Sequence, residues 1–427
     1  MPKSIAVLVS VVAVALGAAA PAHASQFARY GVQDDGWLYY GPGTLEERLD
    51  RLEDLGVDLV RVTLRWDVVA RTRPARPRDP ASPGYVWGVN DQVLEGLRHR
   101  RIATVVTLLG TPRWANGGQP WQVAPRNGAD FGNFAFAASK RYWWVRDWTI
   151  WNEPNQRRWL RPTTPAVYTQ RLLNPAYRQL KASSRANRVG GGVTAPRGNV
   201  GGVSPVAWIR GMRASRALLD AYAHHPYPLR PKVETPWTGG CAHCQTITMA
   251  DLDRLVREVR RNFGNKRIWL TEYGYQTNPP DRGLGVAPAL AARYLAEAAH
   301  RVYAAPYVDM LIHFMVRDDT AVGGWQSGFF TPSGAAKPTY QAFRFPLAQV
   351  SRTGTRTVLW GQVRPGPNGR KSYRLRMRRG GGWTWVGGTR TTDARGVFRV
   401  AVNAPRGASF QVYVPAEPTY GPQLAIR

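Results

Sequence analysis

Short apolar runs rich in Val, Leu and Ile alternate with helical patterns from about residue 27 to residue 316. The first run, FARYGVQ (27–33), precedes TLEERLDRLEDLG (44–56), where Leu45, Leu49, Leu52 and Leu55 share one helix face. VDLVRVTLRW (57–66), a helix near 90–101, RIATVVTLLG (101–110), a helix near 130–146 and DWTIWNEP (147–154) continue the alternation. A helix around 165–185 leads to RVGGGVTAP (188–196), and a short one near 204–213 to LLDAYAHHPYP (218–228). The last two repeats are MADLDRLVREVRRNFG (249–264) with RIWLTEYGYQ (267–276), and APALAARYLAEAAHRVYAA (287–305) with VDMLIHFMV (308–316). Most of the eight strands are apolar on both faces, as parallel strands covered by helices are. Eight such repeats predict a (β/α)8 TIM barrel rather than an open doubly wound sheet. No Gly-rich phosphate loop follows the first strand, which also argues against a dinucleotide fold.

From Thr357 the period changes to two. In SYRLRMRR, Tyr373, Leu375 and Met377 alternate with Arg374, Arg376 and Arg378, and Gly-rich turns separate the runs that follow. A small antiparallel, sandwich-like β-domain is therefore expected over 355–427, behind a barrel domain at 25–348. The arginine stripe reads as a solvated face, with a carbohydrate or anionic-polymer surface as the alternative.

The N-terminus adds an export signal. Lys3, an apolar run from Ile5 to Ala20 and the small residues Ala22–Ala24 form a signal peptide over 1–24, with cleavage expected before Ser25. The run is too short and too rich in Ala and Gly for a membrane anchor. The mature protein is expected to be secreted, with no membrane association. Cysteine usage agrees: Cys241 and Cys244 are the only two, and in an oxidising compartment they are expected to form a local disulfide. Zinc would need more ligands than His243 adds. Of 58 basic residues only seven are Lys, and the net charge is +30. Such arginine usage fits a GC-rich genome as well as a preference for acidic partners or retention at a cell wall. The basic residues are spread along the barrel rather than gathered in a recognition helix, so nucleic acid is not an expected partner.

Two carboxylates stand where barrel strands end. Glu153 follows the apolar end of the fourth strand in IWNEPN, and Glu272 follows Ile268–Leu270 of the seventh in IWLTEYGYQT. An isolated Glu at such a place could be an ion-pair partner for one of the many arginines. Two at the same topological position, across one barrel mouth, can cleave a glycosidic bond, one protonating the leaving oxygen and the other attacking the anomeric carbon or activating water. Spacing alone does not say which Glu is the acid.

At these motifs the sequence resembles the clan A retaining glycoside hydrolases, (β/α)8 enzymes with an acid/base Glu after strand 4 and a nucleophile Glu after strand 7. WTIWNEPN is similar to the strand-4 signature and WLTEYGYQT to the strand-7 motif. The TPRWAN turn after strand 3, HPY at 225–227 and the closing segment GFFTPSGAAKPTYQAFR are also similar. The likeness covers about 28–346 and is nearest the branch with β-xylosidases and exopolysaccharide hydrolases. It implies that Glu153 is the acid/base and Glu272 the nucleophile. By the same resemblance Asn152 bonds the sugar 2-hydroxyl, Tyr227 donates to Glu272, and Arg65 at the end of strand 2 favours the charged form of Glu272. His225 belongs to the His-x-Tyr of strand 6, leaving His224 as a buried hydrogen-bonded neighbour. No metal or organic cofactor is required by this chemistry.

Trp66, Trp114, Trp151 and Trp325 stand at strand ends or in loops where an indole could stack on a pyranose, Trp325 being the best placed. Asp318 and Asp319 past strand 8 could touch substrate or be solvated. Strand 3 departs from the family pattern in carrying Arg113 and no His in its turn. The arginine-rich insertion ARTRPARPRDPASPG (70–84), if it overhangs the mouth, would favour an acidic polysaccharide or oligosaccharide. The expected function is hydrolysis of O-glycosidic bonds; a non-catalytic carbohydrate or cell-wall binding protein on the same barrel is the alternative.

Overall fold

The computed structural model describes residues 27–427, so the expected signal peptide lies outside the described residues. Eight parallel strands close a barrel: β1 (Arg29–Gln33), β2 (Leu59–Arg65), β3 (Ala103–Leu109), β4 (Asp147–Ile150), β5 (Arg188–Thr194), β6 (Ala221–His224), β7 (Arg267–Tyr273) and β8 (Val308–Phe314). β8 returns to pair with β1, which leaves the sheet no edge. The predicted barrel is thus the observed one.

Local signals explain the outer helices. Helix Leu45–Leu55 starts at a capping box between Thr44 and Glu47 and stops at Gly56, whose φ of 68° is left-handed. A Cβ at Gly56 would also come within 2.6 Å of the Arg364 backbone. In helix Leu252–Phe263, Leu252, Leu255, Val256 and Val259 are buried, one stripe facing the barrel.

Inside the barrel the lower layer is apolar. Leu59, Val105, Val193, Ala221, Ala223, Trp269, Met310 and Ile312 form one cluster. The Trp269 indole fills much of it because β5 carries Gly190 opposite, where a Cβ would sit 2.6 Å from the ring. Above this layer the interior turns polar with Arg61, Thr107 and Thr149, all fully buried. That polar layer is the floor of the site.

The C-terminal part contains β9 (Leu347–Thr353), β10 (Arg356–Gln362), β11 (Ser372–Arg378), β12 (Trp383–Trp385), β13 (Arg390–Thr391), β14 (Val397–Asn403), β15 (Ser409–Val414), β16 (Thr419–Tyr420) and β17 (Leu424–Ala425). β14, β10 and β9 form one antiparallel sheet; β12, β11, β15 and β16 form the second. Between them lie Leu347, Leu359, Tyr373, Leu375, Phe398, Phe410 and Val412. β9 begins ahead of the legible period-two pattern, because its outer half (Ser351–Thr353) is exposed and shows no alternation. The first sheet docks on the barrel. Trp360 of β10 packs 5.4 Å from both His300 and Tyr303 of helix Pro288–Ala304. Arg395 donates to the Ala28 carbonyl (2.7 Å), and Arg344, the last residue of helix Pro338–Arg344, donates to the Asp54 carbonyl (2.8 Å) and pairs with Glu417 of the sandwich. Ala28 and Asp54 precede β1 and β2, so the sandwich attaches at the end of the barrel opposite the strand C-termini.

Candidate active site

β4 ends at Ile150, and the chain then turns sharply. Trp151 and Glu153 have φ of 70° and 39°, left-handed values that cost a non-glycine residue about 1–3 kcal/mol each. Three anchors hold the turn. The Trp151 indole is buried and donates to the Trp159 carbonyl (2.8 Å). The Glu153 amide donates to the Val193 carbonyl (2.9 Å), which a bulge in β5 after Gly192 presents to it. Tyr168 donates to the Ile150 carbonyl (2.8 Å). The strain is thus fixed by surroundings that aim Glu153 into the barrel mouth.

Glu272 comes up from β7, beside a register shift between Leu270 and Tyr273. Its Oε1 lies 2.6 Å from Nη1 of Arg61, and its Oε2 accepts from the Tyr227 hydroxyl (3.1 Å). Arg61 is wholly buried, and its fork is fully engaged: Nε donates to Thr107 Oγ1 (2.8 Å), Nη1 also to Gln33, and Nη2 to Asn152 Oδ1 (2.8 Å). A charge taken out of water at the barrel centre needs such an arrangement of partners.

His225 sits between the two acids. Its Nδ1 is 3.0 Å from Glu153 Oε1 and 3.5 Å from Glu272 Oε2. A ring nitrogen of His225 and one oxygen of each carboxylate all lie within 4.8 Å of one another. Burial, with Arg61 adding to it against the opposing Glu272, lowers the imidazole to about 3 and keeps it neutral. Its Nε2 is buried without a hydrogen-bond partner. An orphaned acceptor costs less than an orphaned N–H, so the proton belongs on Nδ1, donated to Glu153. Glu153 itself is raised from 4.5 to about 7 by burial, against the opposing pull of Arg158, Arg61 and a hydrogen bond from Trp159.

Glu153, His225 and Glu272 are also close enough to offer a cation three ligands. The donor set suits a proton better. Arg61 already neutralises Glu272 at 2.6 Å, and Glu153 sits where burial favours its protonated form.

Both acids open into a cavity of about 560 Å³, lined among others by Asn152, Arg158, Trp159, Asp319 and Trp325. Trp325 is 38% exposed and packs on Tyr227 at 5.0 Å and edge-on to Phe314 at 5.4 Å, leaving an indole surface open to the cavity. Asp319 holds the Trp325 amide (2.7 Å). His224 bonds Thr194 and the Ile247 carbonyl, a structural role.

Several expected residues stand elsewhere. Arg65 is not the arginine at Glu272. It lies four residues, about 13 Å, further along β2 than Arg61, where it pairs with Asp67 (2.6 Å), lies over Trp121 and reaches only the cavity rim. Trp114 does not line the cavity; its Nε1 donates to the Ala70 carbonyl (2.8 Å) and its ring meets Trp66 edge-on. Trp66 and Trp151 are core. Asp318 is buried against Lys337 (2.7 Å). Arg113 is exposed outside the cavity. The 70–84 insertion lies along helix Gly128–Arg141 instead of over the mouth, with Arg73 on Asp130 and Arg78 over Phe136. Cys241 and Cys244 are joined.

No family model and no curated protein matches the sequence. Solved structures do. A glucosidase from Croceicoccus marinus is similar at a TM-score of 0.60 with 14% identity, over 92% of this chain and 96% of that one. A GH5_18 protein from Streptomyces cattleya in complex with GlcNAc is similar at 0.54 with 15% identity, over 74% and 79%. CelM2, a bifunctional glucanase-xylanase from a metagenome library, is similar at 0.52 with 12% identity, over 90% and 97%. What is shared is the fold.

Sequence reasoning missed Arg61 and Trp159. Arg61 carried half a signal: an arginine midway along an apolar strand needs a buried carboxylate, but Arg65 on the same face of the strand offers the same pattern. Trp159, six residues past Glu153, carried none, since only the turn that strains Glu153 brings its N–H back to the carboxylate.

Proposed function

We propose that the chain is a secreted retaining glycoside hydrolase of the clan A type, cleaving O-glycosidic, β-linked bonds of a polysaccharide or oligosaccharide. The observation that carries this reading is the contrast between two neighbouring carboxylates. Glu272 is paired with Arg61 at 2.6 Å and accepts from the Tyr227 hydroxyl, while burial brings Glu153 to about 7. One oxygen of each lies within 4.8 Å of the other, in keeping with the carboxyl separation of about 5–5.5 Å at which a carboxylate attacks directly.

In the first step Glu153 gives its proton to the glycosidic oxygen while Glu272 bonds the anomeric carbon, and the aglycone leaves as an alcohol. Glu153, now ionised, takes a proton from water; the hydroxide attacks the anomeric carbon, and the Glu272 carboxylate departs. Asn152, whose Oδ1 is held by Arg61, keeps its amide N–H for the 2-hydroxyl. His225 keeps the acids apart as a neutral donor. Trp325 offers a stacking wall for the sugar.

We keep the branch nearest β-xylosidases and exopolysaccharide hydrolases, export by the N-terminal signal, and retention at a cell wall through the positive charge as parts of the same proposal. An acidic sugar is supported by Arg158, which lines the cavity, makes no ion pair among the described residues and has Glu153, largely protonated below about 7, as its acidic neighbour. Sugar release from neutral and acidic polysaccharides, with Glu272→Ala in parallel, tests the reading. Release lost in the variant supports it. Binding without release by the wild type would favour the non-catalytic alternative, and equal turnover of a neutral substrate and its uronate analogue would remove the acidic sugar.

A further inference from the structure

The outer sheet of the C-terminal sandwich carries a second, differently built surface. Residues opposite one another on antiparallel strands share a face. The register pairs Arg376 with Trp385 and Gln411, Arg378 with Trp383, Arg374 with Tyr413, and Tyr413 with Tyr420. All therefore lie on the side away from Tyr373, Leu375, Phe410 and Val412, which fill the sandwich core. The guanidinium of Arg374 lies 3.8 Å from the Trp385 ring centre; that of Arg376 lies 3.5 Å from Tyr420 and 4.6 Å from Trp383; that of Arg378 lies 5.2 Å from Trp383.

Such stacking occupies the flat faces of the guanidinium groups and fixes their direction. Arg376 gives Nε and Nη2 to Gln411 (3.0 and 2.6 Å) and Arg378 gives Nη2 to Gln423 (3.3 Å), neutral partners that leave both charges uncompensated and the remaining N–H groups for anions. Alternate strand positions set the three about 7 Å apart along β11. None pairs with a carboxylate among the described residues. From residue 347 onward there are fourteen basic residues against two acidic ones. Of those two, Glu417 is engaged by Arg344, and Asp393 accepts from the Arg395 and Val397 amides. The attachment of the first sheet to the barrel leaves this face free, on the end away from the catalytic mouth.

We infer that this face binds an acidic polysaccharide, its carboxylate or sulfate groups taken by the edges of Arg374, Arg376 and Arg378. The inference stands apart from the catalytic reading and would hold for a barrel that does not cut. Nucleic acid fits less well. Single strands bind on open aromatic faces, whereas these rings are already paired with arginines.

The test measures binding of the mature chain to polygalacturonate, to its fully methyl-esterified form and to an oligothymidylate. Arg374→Gln/Arg376→Gln is compared with Arg178→Gln/Arg185→Gln, a control that loses the same formal charge from exposed barrel positions. The expected result is salt-sensitive binding to polygalacturonate only, weakened at least tenfold in the first variant and little changed in the control, with thermal midpoints equal. Trp385→Ala, which removes the ring that orients Arg374, should weaken binding while keeping every charge. Equal loss in both double variants, equal binding of the neutral ester, tighter binding of the oligonucleotide, or no binding at all would overturn the inference.

Discussion

Glu153→Gln keeps the shape of the side chain and removes the proton it titrates. In the folded protein the carboxyl is carried from its ordinary 4.5 to about 7 by burial. At 1.36 kcal/mol for each pH unit, holding Glu153 ionised costs the fold about 3 kcal/mol. Because the folded value lies above the unfolded one, this stability is fully present below pH 4.5. It is lost as pH rises to about 7 and is level beyond. The Gln variant has no such loss, so it should gain on the wild type by up to about 3 kcal/mol between pH 4.5 and pH 8. Urea unfolding of both proteins across that range measures it, with the difference between the curves as the readout. In activity, kcat/KM of the wild type should fall tenfold per pH unit above about 7, as the acid form is lost. The variant should retain turnover only of substrates whose leaving group departs without a proton. Stability curves that run parallel from pH 4.5 to pH 8 would refute the assignment of the burial effect to Glu153.

Arg61→Met leaves Glu272 buried without its cation, and should lower stability by about 3–5 kcal/mol and abolish turnover, read by unfolding and by sugar release. Gly190→Ala brings a methyl to 2.6 Å from the Trp269 ring and should cost about 1–3 kcal/mol through overpacking, measured as a lower urea midpoint with unchanged slope. Trp325→Ala should raise KM about tenfold with a smaller effect on kcat, since its ring touches substrate in ground and transition states alike. His225→Phe, which cannot donate to Glu153, should shift the alkaline limb of the pH–rate profile upward, as the ionised form loses a hydrogen bond.

The barrel was legible because its signal repeats. Eight apolar strands at regular spacing leave few alternatives, and even the short strands β4 and β6 were marked by the residues that follow them. The position of Glu153 and Glu272 at the barrel mouth was legible for the same reason, each standing where an apolar run stops. The identity of the supporting arginine was not. Arg61 and Arg65 lie on the same face of β2, and periodicity cannot tell which one reaches a carboxylate from β7, three strands away round the barrel. Trp114 and the 70–84 insertion failed differently. Both are loop residues whose placement is set by contacts to other segments, Ala70 for the one and helix Gly128–Arg141 for the other. The period-two stripe of β11 was visible, but its meaning depended on partners from β12, β15 and β16 that only the register supplies.

The most direct test of the central claim is the configuration of the first-formed product, followed by proton NMR at the anomeric position during hydrolysis of a set of aryl β-glycosides. The expected result is release of the β-anomer, with mutarotation afterwards, by the wild type and none by Glu272→Ala. An α-anomer formed first, or hydrolysis that survives in Glu272→Ala, would contradict a double displacement through Glu272.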